Sequence, residues 1–365
     1  MRQVPSTMDD VTPEWLDAAL REAGSLPPGT GVTSLGVEPL GAGVGLLGEL
    51  ARLRPVYSGH AGDLPATLIL KLPSAHPANR ARGNQFGFYG REIKFYDEVA
   101  AKLELRVPRC FHAAMDDDAG SFALVLEDLG ALGAADQVEG LREDQALIAV
   151  EHIARFHASW WDAPGLEALQ WLPPSDGPVT MQAAPAYREC WPLFLEHFGS
   201  HVPDGGVTVG KAVGEAFEEL LEVGAMRPWT IVHCDFRLDN MFFGPPGSDD
   251  EFALVDWQLS TKGGGCYDIA YLLCQSMPVE RRRAVEEQVL RRWWDVLLER
   301  GVRGYGWERA KEDYDRSALT CLVIPVIAGA TMDLDNDRGE ALIAALVERS
   351  FAAVLDRDAA RLLPA

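Results

Sequence analysis

The sequence predicts an α+β fold of two lobes, a small N-terminal lobe with an antiparallel sheet and one long helix and a larger, mainly helical C-terminal lobe. Short apolar runs bounded by Gly, Pro and Asn predict strands in the first third of the chain. Beyond residue 140, apolar residues recur with helical spacing. With 365 residues, 47% of them hydrophobic, the chain can bury two cores, which we assign to 1–128 and 129–365.

The N-terminal lobe is expected to hold a first helix, a five-stranded sheet and a second helix. Thr12 is a typical N-cap, Pro13 suits the first helical position and Gly24 would end that helix. Residues 67–72 and 121–127 are typical of strands, and 90–100 have the apolar spacing of a helix. In the C-terminal lobe we predict short strands at 229–232, 241–243 and 252–255 and helices near 143–161, 186–199, 208–223, 266–276, 279–300, 307–330 and 338–360.

Three polar residues follow these short strands at a spacing that indicates phosphoryl transfer. Asp235 precedes Asn240 by five positions, and Asp256 ends the next apolar run. Phosphoryl transfer needs a carboxylate that orients the attacking hydroxyl and oxygen ligands for Mg²⁺. Each residue alone would suit an ordinary turn. The joint pattern predicts Asp235 as the catalytic residue and Asn240 and Asp256 as Mg²⁺ ligands.

A nucleotide also needs a phosphate-binding loop and a cation. Gly41, Gly43 and Gly45 could let backbone amides approach phosphate oxygens, although they would also suit an ordinary hairpin. Lys71 lies in an apolar strand, where it must reach solvent or an anion, and we predict that it binds phosphate. Glu92, near the start of the next helix, could pair with it. The alternative is an edge lysine and a solvated glutamate.

The strand at 121–127 ends in acidic residues and a glycine. In a two-lobed kinase such a segment is the hinge, whose backbone binds the adenine edge. We therefore predict nucleotide contacts at Glu127, Asp128 and Leu129.

Four motifs together resemble a known family. In chain order they are Leu126–Leu129, Arg155–Ala158, His233–Asp235 with Asn240, and Asp256–Ser260 through Asp268–Leu273. They resemble the ecdysteroid-kinase-like, or CHK-kinase-like, branch of the aminoglycoside phosphotransferase and choline kinase superfamily, over about residues 36 to 276. The resemblance implies a bilobal protein-kinase-like fold. It also implies ATP- and Mg²⁺-dependent phosphorylation of a hydroxyl group on a small molecule.

The same resemblance implies roles for residues in and around the segment His233–Asn240, which we call the catalytic loop. His157, His233 and Asp268 match positions that brace this loop in the family. Arg237 could steady the transferring phosphate or lie on the surface. Cys234 departs from the family, which usually has glycine at this position. Because a thiol side chain is small, it should fit there unless the residue needs a positive φ.

The sequence argues against two alternatives to a small-molecule kinase. A protein kinase needs a long activation segment after the metal-binding aspartate, yet only twelve positions separate Asp256 from Asp268. A nucleotide-binding pseudokinase or scaffold would more often have lost one of Lys71, Asp235, Asn240 and Asp256.

The acceptor remains open between two classes. The segment Trp160–His201 is rich in aromatic residues, which could line a pocket for a bulky, partly apolar alcohol or could only pack the core. The alternative is a cationic acceptor of the aminoglycoside or choline type.

Composition restricts the partners. A net charge of −22 argues against nucleic acid and anionic membrane surfaces, both of which need clustered Lys and Arg. The six cysteines lack C-x-x-C spacing, so no zinc site or disulfide framework is predicted. No apolar signal region and no run of about eighteen apolar residues is present, which favours a cytoplasmic protein. No obligate protein partner is evident.

Overall fold

The computed structural model describes residues 4–40, 48–59, 62, 64–116, 118, 120–331 and 337–364. Gly41, Gly43 and Gly45, the predicted phosphate loop, lie outside the described residues. The chain divides into two compact units, Met1–Leu132 with Ala253–Leu259, and Gly133–Phe252 with Ser260–Ala365. The first unit thus includes a segment from later in the chain, 253–259. The sequence prediction had a single boundary, between residues 128 and 129.

The described residues of the first unit form a five-stranded antiparallel sheet and three α-helices. The sheet has the order β1-β2-β3-β5-β4, with β1 at Gly31–Leu40, β2 at Gly48–Ser58, β3 at Leu68–Pro73, β4 at Cys110–Asp116 and β5 at Ser121–Glu127. The helices are α1 (Pro13–Glu22), α2 (Pro77–Gln85) and α3 (Phe88–Glu98). As predicted, Thr12 caps α1, since its Oγ1 accepts a hydrogen bond of 3.2 Å from the backbone N–H of Trp15.

Strand alternation explains how β3 presents its lysine. Leu68, Leu70 and Leu72 are fully buried in a core that they share with Leu16 of α1. Successive side chains of a strand point to opposite faces. Lys71 therefore points away from that core, and its side chain meets α3 instead.

The second unit is mainly helical. Its helices are α4 (Glu143–Trp160), α5 (Pro164–Ala168), α6 (Pro178–Met181), α7 (Ala183–Phe198), α8 (Gly206–Gly224), α9 (Cys266–Tyr271), α10 (Val279–Glu299), α11 (Trp307–Cys321), α12 (Val323–Thr331) and α13 (Asp337–Asp356). A π-helical turn, Leu272–Ser276, continues α9. The short strands are β6 (Gly133–Ala134), β7 (Thr230–Val232), β8 (Met241–Phe243), β9 (Phe252–Leu254), which leads out of this unit, and β10 (Thr261–Gly263). In the part of the chain that the structure describes, no helix combines the length and apolarity needed to cross a membrane.

The prediction of a single helix at 307–330 is wrong, because the structure has two helices there, α11 and α12. Pro325 has no backbone N–H, so it cannot donate to the carbonyl of Cys321 four residues earlier, and α11 ends at Cys321. The side-chain amide of Gln275 donates to that carbonyl oxygen instead, at 3.1 Å. The broken helix thereby satisfies its exposed backbone acceptor with a residue of the π-helical turn.

Candidate active site

Lys71 lies between two carboxylates within the first unit. Its Nζ is 2.7 Å from Oε2 of Glu92 on α3 and 2.9 Å from Oδ1 of Asp256 in the returning segment. The side chains of Lys71 and Glu92 are 8% and 1% exposed. The structure thus brings together three of the predicted site residues, and one ammonium serves two acids.

The charges of this group are strongly coupled. Burial lowers the pKa of Lys71, but the carboxylates of Asp256 and Glu92 raise it by more, so the ammonium stays charged. Burial raises the pKa of the Glu92 carboxyl, and Lys71 only partly offsets this effect while the charge of Asp256 adds to it. The Lys71 ammonium donates a hydrogen bond to Oδ1 of Asp256 and forms an ion pair with Glu92.

An aromatic stack explains why Glu92 and Asp256 reach the same ammonium. Trp257, next to Asp256 in sequence, stacks on Phe95 of α3 with ring centroids 4.0 Å apart and planes at 8°. Phe95 lies one helical turn after Glu92. Both rings are fully buried. Asp256 itself has a φ of 67°, a left-handed conformation that Asp tolerates better than most residues.

The side chains of the predicted hinge segment are held by arginines of the same unit. Glu127 Oε1 accepts a hydrogen bond of 2.7 Å from Arg106, and Asp128 Oδ2 accepts one of 2.6 Å from Nε of Arg52. Burial raises the pKa of Asp128, but the hydrogen bond and charge of Arg52 outweigh it, and the net pKa is lowered. No role was predicted for these two side chains, yet their hydrogen bonds to Arg106 and Arg52 hold the end of β5 in place.

The backbone of this segment is partly engaged. The N–H of Glu127 donates to the carbonyl of Arg109 at 2.8 Å, and the carbonyl of Leu129 accepts from the N–H of Leu132 at 2.9 Å. The adenine contact predicted for this segment stays a prediction.

Asp235 is the centre of the group in the second unit. Its side chain is almost fully buried, with the residue 8% exposed. The hydroxyl of Tyr271 donates to Oδ1 at 2.8 Å, and Nδ2 of Asn240 donates to Oδ2 at 2.8 Å. Burial raises the pKa of Asp235, but the charges of Arg237 and His233 and these hydrogen bonds outweigh it, so the net pKa is lowered. The carboxylate is therefore ionised at neutral pH and fixed at both oxygens.

Arg237 contacts acids of the catalytic loop. Its Nε lies 3.1 Å from Oδ1 of Asp235, and its NH1 donates to Oδ2 of Asp239 at 2.9 Å. Of the two alternatives considered for Arg237, a plain surface position does not describe this half-buried side chain. A role toward phosphate stays a prediction.

Asp268 anchors the start of the catalytic loop. Its carboxylate accepts hydrogen bonds from the backbone N–H of His233 at 2.8 Å and of Cys234 at 2.9 Å. Its Oδ2 also lies 3.1 Å from Nε2 of His157. Trp293 donates a hydrogen bond to Nδ1 of His157 at 3.0 Å, so Nδ1 is an acceptor. The N–H group is then at Nε2, and it donates a hydrogen bond to Asp268. His157 is thus neutral.

Cys234 adopts the conformation in which a thiol is unfavourable. Its φ is 66°, a left-handed value at which glycine is unstrained. The exception named in the prediction, a positive φ at this residue, is therefore the one that the structure shows. Its Sγ lies 3.1 Å from Oγ1 of Thr261, a contact that glycine could not make.

Tyr271 contacts Asp235 directly, and this contact was not predicted from the sequence. A signal was present, because Tyr271 follows Asp268 by three positions and so lies on the same helical face. Trp257 and Phe95 had no such signal, since their contact joins distant segments.

A fold with a five-stranded sheet, a lysine–glutamate pair and a buried loop aspartate is typical of enzymes that transfer phosphoryl groups. The chain matches the family described as "Phosphotransferase enzyme family" (APH) over residues 55–316. Because this match covers more than half of the chain, the protein belongs to that family. It is therefore an enzyme of the small-molecule kinase class, which transfers phosphate to hydroxyl groups. The predicted superfamily is confirmed.

Solved structures with a similar fold include small-molecule kinases. Choline kinase from Cryptosporidium parvum Iowa II is 10% identical with a TM-score of 0.55, covering 89% of each chain. The GDP and kanamycin complex of APH(2″)-IIIa is 13% identical with a TM-score of 0.50, covering 91% of this chain and 95% of that one. At these identities the likeness concerns the fold, and it confirms the predicted α+β, kinase-like class.

One curated protein shares a short stretch of sequence. Acyl-CoA dehydrogenase family member 10 from Mus musculus is 50% identical over 42 residues, which are 12% of this chain. The matched stretch spans only 4% of that relative's length.

Proposed function

We propose that this protein uses ATP and Mg²⁺ to phosphorylate a hydroxyl group of a small molecule, with Asp235 as the catalytic residue. The observation that carries the proposal is the state of Asp235, an ionised carboxylate fixed at both oxygens by Tyr271 and Asn240. Such a group can accept a hydrogen bond from the acceptor hydroxyl, orient it and take its proton as the phosphoryl group is transferred.

Asn240 and Asp256 are the side chains that we propose would hold Mg²⁺. Nδ2 of Asn240 donates to the backbone oxygen and to Oδ2 of Asp235, at 2.9 and 2.8 Å, which leaves its carbonyl oxygen as the atom for a hard cation. Asp256 supplies a carboxylate, and both donor types suit Mg²⁺. When bound there, the ion would supply positive charge that stabilises the transferring phosphoryl group.

Lys71 supports the nucleotide side of the proposal. Its ammonium is charged and already directed at two anions, so phosphate oxygens can take the place of Asp256 without leaving the cation unpaired. Glu92 would keep it oriented during that exchange. Arg237, beside Asp235, is a second cation that could contact the transferring phosphate.

The contacts of the aromatic residues at 160–201 bear on the acceptor. Phe194 and Phe198 are buried in the core of the second unit, and Trp191 stacks on the buried Tyr187 with centroids 5.7 Å apart. Gly210 makes room for this stack, since a Cβ there would lie 2.3 Å from Trp191. These residues pack the core, which weakens the argument for a bulky, partly apolar alcohol. Cationic acceptors such as aminoglycosides or amino alcohols should therefore be tested beside apolar alcohols.

The test is ADP or GDP release with ATP or GTP, Mg²⁺ and acceptors of both classes. With the best acceptor, Asp235→Asn should lower kcat at least about a hundredfold, because general-base catalysis is lost. The variant should keep the thermal shift that Mg-ATP produces. Asp256→Asn should lose that shift, because a proposed metal ligand is changed.

The matched control is Asp313→Asn. Asp313 also accepts hydrogen bonds from a tyrosine hydroxyl and an arginine, Tyr305 at 3.0 Å and Arg309 at 3.1 Å, but lies outside the catalytic loop. It should keep kcat within about twofold, since nothing at Asp235 changes. Full activity of Asp235→Asn would refute the proposed role and favour a pseudokinase or another catalytic residue.

A further inference from the structure

The segment that follows Asp268 contacts the catalytic loop at three successive points. Asp268 itself binds the backbone at His233 and Cys234. The hydroxyl of Tyr271 donates to Asp235 at 2.8 Å, and the backbone N–H of Leu238 donates to Oγ of Ser276 at 3.1 Å. One continuous helical segment therefore follows the loop along its length.

An ordinary α-helix could not place Tyr271 and Ser276 in this way. Residues five apart in an α-helix differ by about 140° around the axis, because each residue turns by about 100°. Between these two residues the helix is π-helical, over Leu272–Ser276. In a π-helix, residues i and i+5 are hydrogen-bonded neighbours on one side. The π-helical turn thus aligns both hydroxyls with the same loop.

Both hydroxyl groups are buried and engaged. Tyr271 is 3% exposed and Ser276 is fully buried. Ser276 also donates to Oε1 of Gln137 at 3.2 Å, and the N–H of Leu238 donates to that same Oε1 at 3.0 Å. The backbone N–H of Leu238 therefore has two acceptors, Gln137 and Ser276. Oδ1 of Asp235 accepts one hydrogen bond from the hydroxyl of Tyr271 and also lies beside the guanidinium of Arg237.

We infer that Tyr271 is a positioning residue for the transfer reaction, and that the π-helical turn after it brings Ser276 to the same loop. Tyr271 on Oδ1 and Asn240 on Oδ2 together fix the plane of the carboxylate. Without the hydroxyl the carboxylate can rotate, and the orientation of the acceptor hydroxyl is lost. This inference rests on the proposed function, because it concerns the catalytic role of Asp235.

The experiment compares Tyr271→Phe with Tyr314→Phe in steady-state kinetics. Tyr314 is also a buried tyrosine that donates to a carboxylate, Glu286 at 2.7 Å, and this carboxylate is not part of the catalytic loop. Tyr271→Phe should lower kcat about tenfold and leave both KM values within about twofold, because misorientation costs rate rather than binding. Tyr314→Phe should leave kcat within about twofold, although both variants lose a hydrogen bond of the same type.

The inference is overturned if Tyr271→Phe keeps full kcat, or if the two variants lower kcat equally. Should Tyr271→Phe not fold, Ser276→Ala carries the test. It should lower kcat by about twofold to threefold, a small effect because Gln137 still accepts from Leu238. No loss in Ser276→Ala would then refute the role of the turn. Asp235→Asn, measured alongside, separates the two proposals: if it is inactive while Tyr271→Phe is fully active, only the inference about Tyr271 fails.

Discussion

Lys71 in the first unit and Asp268 in the second each serve several partners, but they do so by different physics. Lys71 is one cation between two carboxylates. Asp268 is one fully buried carboxylate that receives two backbone N–H groups and a neutral imidazole. Contacts between charges can be exchanged for other charges, such as phosphate, whereas a carboxylate bound by neutral backbone donors has no such substitute. We therefore expect the contacts of Lys71 to change when a ligand binds and the contacts of Asp268 to stay the same.

The strongest way to break the charged group is Lys71→Met. This variant leaves two acids with no cation, so the free energy of unfolding should fall by about 3–5 kcal/mol. Adding Glu92→Gln should recover part of the loss, because one of the stranded charges is removed. Denaturant unfolding measures both.

Lys94→Met is the control for that change. Lys94 pairs with Glu98 on the same helix, but its side chain is 50% exposed. An exposed pair contributes less than about 1 kcal/mol. Equal losses for Lys71→Met and Lys94→Met would show that the buried group has no special electrostatic weight.

The fixed group is tested by Asp268→Asn. The change keeps the shape of the side chain but replaces an acceptor by an N–H donor, which then faces another donor. We expect a loss of about 1–3 kcal/mol in the free energy of unfolding, from a buried donor left unsatisfied. Asp144→Asn, at a side chain that is 65% exposed, is the control and should change little. A neutral result for Asp268→Asn would mean that the loop does not depend on this carboxylate.

The smallest effect is expected at Cys234, beside that anchor. Cys234→Gly should raise the free energy of unfolding by about 1 kcal/mol at most, because the left-handed strain of roughly 1–2 kcal/mol is relieved but glycine loses more entropy on folding. Cys234→Val should lower it, since a β-branched residue tolerates positive φ worst. Thermal unfolding of the two variants, with Cys234→Ala as reference, gives the order. The opposite order would mean that the contact with Thr261 outweighs the strain.

Regular structure was largely predictable, because apolar spacing is a local property of the chain. The helix predicted at 279–300 occurs as α10 (Val279–Glu299), and that at 143–161 as α4 (Glu143–Trp160). The helix α2 was missed, since only Gly83 in it is buried and no apolar stripe marks it. The effect of Pro325 was also missed, although proline is a local signal.

The site was predictable in its residue types but not in its contacts. The spacing of Asp235, Asn240 and Asp256 is visible in sequence, and so is a lone lysine in an apolar strand. The ion pair of Lys71 with Asp256 and the stack of Trp257 on Phe95 join segments far apart in the chain. The contact of Tyr271 with Asp235 joins residues 36 positions apart, and no local pattern in the sequence marks the π-helical turn that follows Tyr271.

The ammonium of Lys71 beside Asp256 has a consequence for the resting enzyme. While no ligand is bound, it serves as a built-in counterion that offsets part of the repulsion between the two acids. A catalyst that is emptied after every turnover thus keeps a cation beside its buried acids between one substrate and the next.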